Sequence, residues 1–481
     1  VERGLRMLFW DGIFAQVMLV LTTGAFLIGF ALSLKANNVV IGLLSGIGPL
    51  LQTVQLPSIY LVERHRVRKS ITLLAYGISR LALLFIAVLP LFHAPTTVRL
   101  GIFLLLLAVH HGLAAVGNCA FGSWIRDLIP TEQVERFFAK RLTGATFAGA
   151  VLSFAGGIAV DKLKSSGLPQ PESMAYGVLF VGAAVAGVLS VMSIALTPEP
   201  QMPKTNSASL KPLLMEPFKD INFRSLLIFL GVWNFAVNFA APFFAVYLLD
   251  RLELNMTWIL FLSVISQIAN VLFFGVWGRL AEQFSNKSVM VFCVPLFFLT
   301  FLMWPFTTMP EPHRMTLPLL IIIHVIGGVA AAGIGLCAGN LVLKSAPYGK
   351  GAAYLAVNAL VSGAAATIAP VLAGLAADSF NKFETRLTVT LFRLSDKVTE
   401  KIMEFPTLDL KGMDFLFVLA FIFGLYSQHR LLAVREEGEV TEKVLRDAIY
   451  GEARRVIRQV STVAGVRQLI TIPYTPLQVL A

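Results

Sequence analysis

Three histidines and one aspartate of this 481-residue chain stand inside long apolar stretches, a setting in which ionisable side chains are costly and mark functional positions. His110 and His111 are neighbours, His324 stands in a later stretch, and Asp11 lies near the start of the first. An imidazole titrates near neutral pH, and a carboxylate in apolar surroundings is open to protonation. Asp11, His110, His111 and His324 are therefore candidates for carrying a coupling proton. In the same stretches Gln16, Gln52, Asn118, Trp233, Asn234, Asn238, Gln267 and Asn270 supply uncharged donors and acceptors and one indole. Together with His111 and His324 they suit binding of a polar or amphipathic solute. Hydrogen bonding between helices, and imidazoles satisfied by backbone carbonyls, account for the same residues without a ligand. His111 and Asn118 share a helix face with Ala115 and Gly122, and His324 shares one with Gly328, Ala331 and Gly335. Small residues there leave room for a ligand or let neighbouring helices pack closely.

The elements that must carry these groups are transmembrane helices. Hydrophobic residues make up 56% of the chain and charged residues 14%, against about 25% charged in soluble proteins. One water-soluble core cannot hide that surface. Apolar stretches of roughly 20 residues, enough to cross a bilayer, are predicted at 8–33, 39–62, 71–93, 98–123, 142–160 and 174–196, and again at 224–249, 256–278, 289–307, 316–344, 350–378 and 412–433. The first is expected to remain as helix 1 rather than be cleaved as a signal. Cys119, Cys293 and Cys337 fall inside predicted spans without metal or redox spacing. No metal or cofactor is expected. Nucleotide-binding loops, zinc patterns and nucleophile motifs in credible context are missing, which argues against an enzyme.

The net charge of +11 sits in short loops between spans rather than on one amphipathic face, which argues against nucleic acid. Loops after even-numbered spans carry Arg64, Arg66, Arg68 and Lys69, then Arg126, Arg136, Lys140 and Arg141, with further lysines and arginines after spans 6, 8 and 10. By the positive-inside rule these loops and both termini are cytoplasmic.

An internal repeat organises the twelve spans. Displaced by 218 positions, Arg6 falls on Arg224, Gln16 on Asn234, Gln52 on Asn270 and Lys69-Ser70 on Lys287-Ser288; at 217, Pro130 falls on Pro347, Gly157 on Gly374 and Asp161 on Asp378. The expected fold is an all-α membrane protein of twelve transmembrane helices in two six-helix pseudo-symmetric bundles. Its parts are an N-terminal bundle at 1–196, a Pro- and Ser-rich cytoplasmic linker at 197–223, a C-terminal bundle at 224–433 and a cytoplasmic tail at 434–481 with a short amphipathic helix. The loop at 379–411 is expected outside the cytoplasm, with helical promise at 391–404.

Twelve helices in two repeats, cytoplasmic termini and the basic loop Leu61-Val62-Glu63-Arg64-His65-Arg66-Val67-Arg68-Lys69 resemble the major facilitator superfamily of transporters, bacterial type, over residues 5–433. A weaker copy of the loop signature is Gly278-Arg279-Leu280-Ala281-Glu282-Gln283-Phe284-Ser285-Asn286-Lys287. The first copy has Ile59 and Arg66 where the family has glycines, and both copies use Glu where Asp is commoner. The resemblance implies a cytoplasmic gate, for which Glu63, Arg64, Arg126, Asp127, Arg141, Arg279 and Glu282 are candidates. Glu63 and Glu282 would be latches, with Arg126 or Arg141 as partners; charges that merely set topology explain the same residues. The family also implies that helices 1, 4, 7 and 10 line a central cavity, flanked by 2, 5, 8 and 11; the polar residues of this sequence concentrate on those helices, and 3, 6, 9 and 12 read as almost purely apolar. Helix 5 lacks the Gly-Pro pair typical of drug-exporting antiporters. The expected function is a secondary transporter moving a small solute by alternating access, with proton coupling a hypothesis and membrane lipids and a monomer as its context in a bacterial inner membrane. The alternative is a non-transporting receptor or assembly protein on the same fold.

Overall fold

A computed structural model describes residues 2–129, 134–166, 172–201, 215–308, 311–347, 350–395, 398–436, 438 and 444; the side chains at 2, 126, 134–136, 139, 352 and 386–409 are outside the description. The expected tail helix and most of the linker therefore lie outside the described residues.

Twelve helices are long and apolar enough to cross a membrane: span 1 Arg3–Ser33, span 2 Asn38–His65, span 3 Arg68–Leu91, span 4 Thr96–Ile125, span 5 Lys140–Ser165, span 6 Ser173–Ala195, span 7 Ile221–Arg251, span 8 Met256–Gln283, span 9 Asn286–Thr307, span 10 Thr316–Ser345, span 11 Ala353–Phe380 and span 12 Met413–Leu432. Leu74, Phe85, Phe147 and Leu272 stand well exposed on their surfaces, as side chains facing lipid do. In the list above, odd spans begin at the face where the chain starts, here called the terminal face, and even spans begin at the opposite face.

Local sequence sets the interruptions. Span 1 breaks between Glu2–Thr22 and Gly24–Ser33. There the Thr22 and Thr23 hydroxyls donate to Met18 O (2.9 Å) and Leu19 O (2.8 Å), and Gly24 takes a left-handed φ of +60°. Span 2 contains Pro49, which lacks an amide for the helix ladder, and parts into Asn38–Gln52 and Gln55–His65 across two tight turns closed by Thr53 N to Leu50 O and Val54 N to Leu51 O. Gln52 and Gln55, bonded to each other, sit at this break. Span 2 then ends on Arg66 at φ +55°, the left-handed capping position that glycine ordinarily fills.

The two halves meet along a seam near the face opposite the termini. Spans 2 and 11 approach so closely that a Cβ at Gly46 would lie 2.7 Å from the Thr367 carbonyl oxygen, and Gly42 and Gly374 abut backbone at Pro370 and Asn38. Spans 5 and 8 do the same at Gly157, which faces Leu260 and Thr257. Each contact ends in a carboxylate. Asp161 accepts from Met256 N (2.9 Å), Thr257 N (2.7 Å) and Thr257 Oγ1 (2.5 Å), and Asp378 accepts from Asn38 Nδ2 (2.8 Å). In both cases a carboxylate meets the N-terminal end of a helix from the other half, where exposed amides and the helix dipole favour negative charge. Asp161 and Asp378 are repeat mates, and Asn38 and Met256 are separated by the same 218 positions that relate the halves.

At the terminal face each bundle is tied within itself. Arg68, 1% exposed, donates to Asp127 (2.5 Å), Ser123 O (3.0 Å) and Pro200 O (2.9 Å), while Glu199 accepts from Lys69 N (3.2 Å). In the second half Glu436 accepts from Lys287 N (2.7 Å), Asn286 (2.8 Å) and Lys344 (3.1 Å). The repeat thus places a glutamate on the first turn of span 3 and of span 9 alike.

One segment departs from the all-helical expectation. The stretch with helical promise lies instead in an antiparallel ribbon, β1 Glu384–Ser395 and β2 Val398–Lys411, in which Leu387 pairs with Leu408, Val389 with Phe405 and Leu391 with Met403. Its root is fixed to the second half. Arg251 donates to Lys411 O (2.9 Å) and pairs with Asp414 (2.8 Å), and Asp414 accepts from Lys411 N (2.9 Å).

Candidate functional site

Between the halves, on the terminal side of the seam, lies a cavity of about 1040 Å³. From the first half come Gln52, His110, His111, Asn118 and a set of charged groups; from the second come Asn234, Ser362 and a small apolar wall of Ala356, Ala359, Leu360 and Ala366. The break in span 2 brings Gln52, Thr53 and Gln55 to its rim.

The charged side chains among its described lining are Asp11, Arg80 and Arg141. Asp11 is 2% exposed and both its oxygens are engaged: Arg141 Nη2 donates at 2.7 Å and Ser190 Oγ at 2.6 Å. Arg141 also donates from Nε to Leu8 O at 3.0 Å. Arg80, 5% exposed, donates to Ser79 Oγ (3.0 Å) and lies over the Tyr76 ring, 4.7 Å from its centre. Tyr76 in turn donates to Asn118 Oδ1 at 2.5 Å. Ser79 Oγ lies 3.0 Å from His110 Nδ1 and donates to His110 O at 2.9 Å, so His110 is tied to span 3, and its ring meets His111 edge-on at 5.1 Å. Spans 1, 5 and 6 therefore share one hydrogen-bonded set and spans 3 and 4 another, and the two together make up the cavity's polar network.

Glycines on facing helices make room for the long members of that network. A Cβ at Gly187 would come 2.8 Å from Arg80 Cδ, and one at Gly12 would come 2.6 Å from Arg141 Cγ. Gly117 likewise faces the Tyr76 ring.

Of the residues singled out in the sequence, Gln52, His111, Asn118, Asn234, Asp11 and His110 line one cavity. Gln16 lines an adjoining pocket of about 460 Å³ that shares Arg141 with it. Others lie elsewhere. Trp233 packs against the rings of Phe297 (5.1 Å) and Phe298 (4.9 Å), an apolar contact inside the second bundle. Asn238 donates to Asn234 O (2.8 Å) one turn back, and His324 Nδ1 is 2.8 Å from Leu320 O on its own helix, beside Trp304. Gln267 and Asn270 are outside this cavity's lining.

The gate residues also divide. Arg141 is helical rather than in a loop and serves Asp11, and Asp127 binds Arg68 within the first half. Arg141, expected as a partner of Glu63 or Glu282, is bonded to Asp11 here. Glu63 is half-buried, and Arg64, Arg279 and Glu282 are exposed at the terminal face; the Arg126 side chain lies outside the described residues. Spans 3 and 6, expected to be apolar, contribute Tyr76, Ser79, Arg80 and Ser190.

A duplicated twelve-helix body with a polar cavity on the line between its halves is the architecture the sequence suggested, and the sequence itself matches the profile of the Major Facilitator Superfamily over residues 12–370. The chain belongs to the major facilitator superfamily. Solved structures agree on the superfamily fold. The nucleoside transporter NupG matches at TM-score 0.64 and 13% identity, covering 90% of this chain and 98% of that one. A bacterial homologue of the iron transporter ferroportin, in an inward-facing state, matches at 0.62 and 11%, covering 90% and 100%. A D-xylose-proton symporter matches at 0.62 and 11%, covering 92% and 99%. No curated protein matches the chain by sequence.

Proposed function

We propose that this superfamily member is a monomeric secondary transporter of a bacterial plasma membrane, caught facing the cytoplasm, whose halves (1–196 and 224–433, joined by 197–223) rock about the central cavity. The observation that carries this reading is the cavity's placement: it lies on the terminal side of a seam closed by two repeat-related carboxylate contacts. Arg64, Arg66 and Lys69 at the terminal face mark that face as cytoplasmic by the positive-inside rule, which puts both termini inside the cell. The match to a ferroportin homologue described as inward-facing supports the same direction. In the opposite state Glu63, Arg64, Arg279 and Glu282 would approach one another and form the cytoplasmic gate. A small solute occupies the cavity, contacted by Gln52, His111, Asn118 and Asn234, and Asp11 is the group positioned to exchange a coupling proton with its Arg141 bond.

Spin labels at Asn37 and Lys382 flank the closed face, and labels at His65 and Glu282 flank the open one; all four positions are exposed. Rocking predicts that the Asp161→Asn, Asp378→Asn double variant lengthens the first distance while the second shortens. Unchanged single distances on both faces, in the double variant and the parent alike, would sink the alternating-access reading.

A further inference from the structure

Arg80 is a buried cation whose counter-charge is missing from its immediate surroundings. The nearest carboxylate of the cavity, Asp11, gives its two oxygens to Arg141 and Ser190. Arg80 keeps one neutral hydroxyl, Ser79 Oγ, and the face of Tyr76, while its buried Nε has no hydrogen-bond partner. A guanidinium at membrane depth is costly unless paired, and a cation–π contact with tyrosine offsets only part of that cost. The side chain nevertheless lines the cavity, and Gly187 leaves it the space to do so.

We propose that Arg80 receives the anionic head of the transported solute, and that the substrates are amphipathic organic acids bearing one carboxylate. The inference rests on the transporter reading and names the substrate class of the same site. The planar fork of a guanidinium matches a carboxylate, and its second donor edge is the one the protein leaves unused. The number of charges follows from the lining. Two cations and one carboxylate leave one positive charge, so a single substrate carboxylate makes the loaded cavity neutral, and a dianion would not. The amphipathic character follows from the far wall, where Ala356, Ala359, Leu360 and Ala366 offer small apolar surface to the body of the solute. Asn234 and Ser362, bonded at 3.1 Å, are the polar groups that wall adds.

The test uses purified protein in lipid nanodiscs at pH 7.5, melted with matched probes: benzoate and benzamide, phenylacetate and phenylacetamide, 3-phenylpropionate and its amide. Acids are expected to raise the melting temperature and amides not. Arg80→Met is expected to weaken acid binding by about tenfold or more, and Arg80→Lys, which keeps the charge without the fork, by less. The unliganded Arg80→Met protein should melt no lower than the parent, because an unpaired buried charge has been exchanged for an apolar chain. Stabilisation by amides equal to that by acids, undiminished acid binding in Arg80→Met, no stabilisation by any acid, or an unliganded Arg80→Met protein melting well below the parent would each overturn the proposal. The spin-label distances are read independently. If they alternate while the acids fail, the carboxylate assignment falls and the transporter reading stands.

Discussion

At the scale of single residues, Asp11 ties spans 1, 5 and 6 together through Arg141 and Ser190. Asp11→Asn removes the anion that serves Arg141 directly and Arg80 at longer range, and leaves the buried Arg80 and the part-buried Arg141 without a carboxylate in the cavity lining. A loss of about 3–5 kcal/mol is expected from breaking such a buried pair, read as a lowered melting temperature. Arg141→Gln in the same chain should restore part of it, as a double-mutant cycle would show. At the end of span 2 the strain runs the other way. Arg66 holds φ +55° with its backbone N bonded to Val62 O (2.8 Å), a bond glycine would keep, and its side chain making one long exposed 3.3 Å bond from Nε to Glu63 O. Arg66→Gly should therefore stabilise the protein by about 1 kcal/mol, and thermal melting of the pair checks it. The sequence marked Arg66 as standing where the family has glycine, and the backbone supplies the reason. Arg80 was equally visible as a lone arginine inside the apolar stretch 71–93. The superfamily pattern directs attention to helices 1, 4, 7 and 10, and so away from it. The partners of Asp11 and Tyr76 were not legible, because they depend on which helices touch.

Elements explain why the halves part where they do. Asp161 and Asp378 each bridge one half to a helix start of the other, so a single Asn substitution should weaken the seam and the double substitution should open it, in proportion along the spin-label distances. Within the second bundle, Glu436 performs the same service at the terminal face. Burial pushes its carboxyl up, but hydrogen bonds from Asn286, the Lys287 amide and Lys344, with the charge of Lys344, outweigh that and hold it below its usual 4.5. Its folded value is lower than its unfolded one, so the stability it contributes is present above about pH 4.5 and is lost as pH falls through the lowered value. Glu436→Gln should cost about 1–3 kcal/mol at pH 7, and the gap in melting temperature to the parent should narrow as pH falls below 4.5. The ribbon at 384–411 shows a wrong period chosen. Glu400, Lys401 and Glu404 suggest helix spacing, whereas Leu387, Val389 and Leu391 alternate with threonines in the two-residue period of a strand. A hairpin needs its distant partner strand to declare itself, and a local window sees only one arm.

For the whole molecule, the twelve spans and the duplication were legible because bilayer thickness and polar repeat mates constrain them without tertiary detail. The depth of Arg141 was not, since span 5 begins earlier than its hydropathy announces: the helix runs from Val134 to Ser165. In liposomes, uptake of an organic acid that the protein binds should respond to an imposed pH gradient. Asp11→Asn should abolish that response while leaving exchange between equal pools; a parent protein indifferent to the gradient would remove Asp11 from coupling.

The ribbon adds a mechanical consequence. At about 3.3 Å per residue its arms reach roughly 40 Å from the root, and the anchors described at that root, Arg251, Asp414 and Lys411, all belong to the second half. A lever pinned to one body magnifies rotation: a few degrees at the base become several ångströms at the tip. A fluorophore placed on the end of the ribbon far from its root, read against a second dye on the opposing half, would therefore follow each stroke from the face opposite the termini without a probe entering the translocation path.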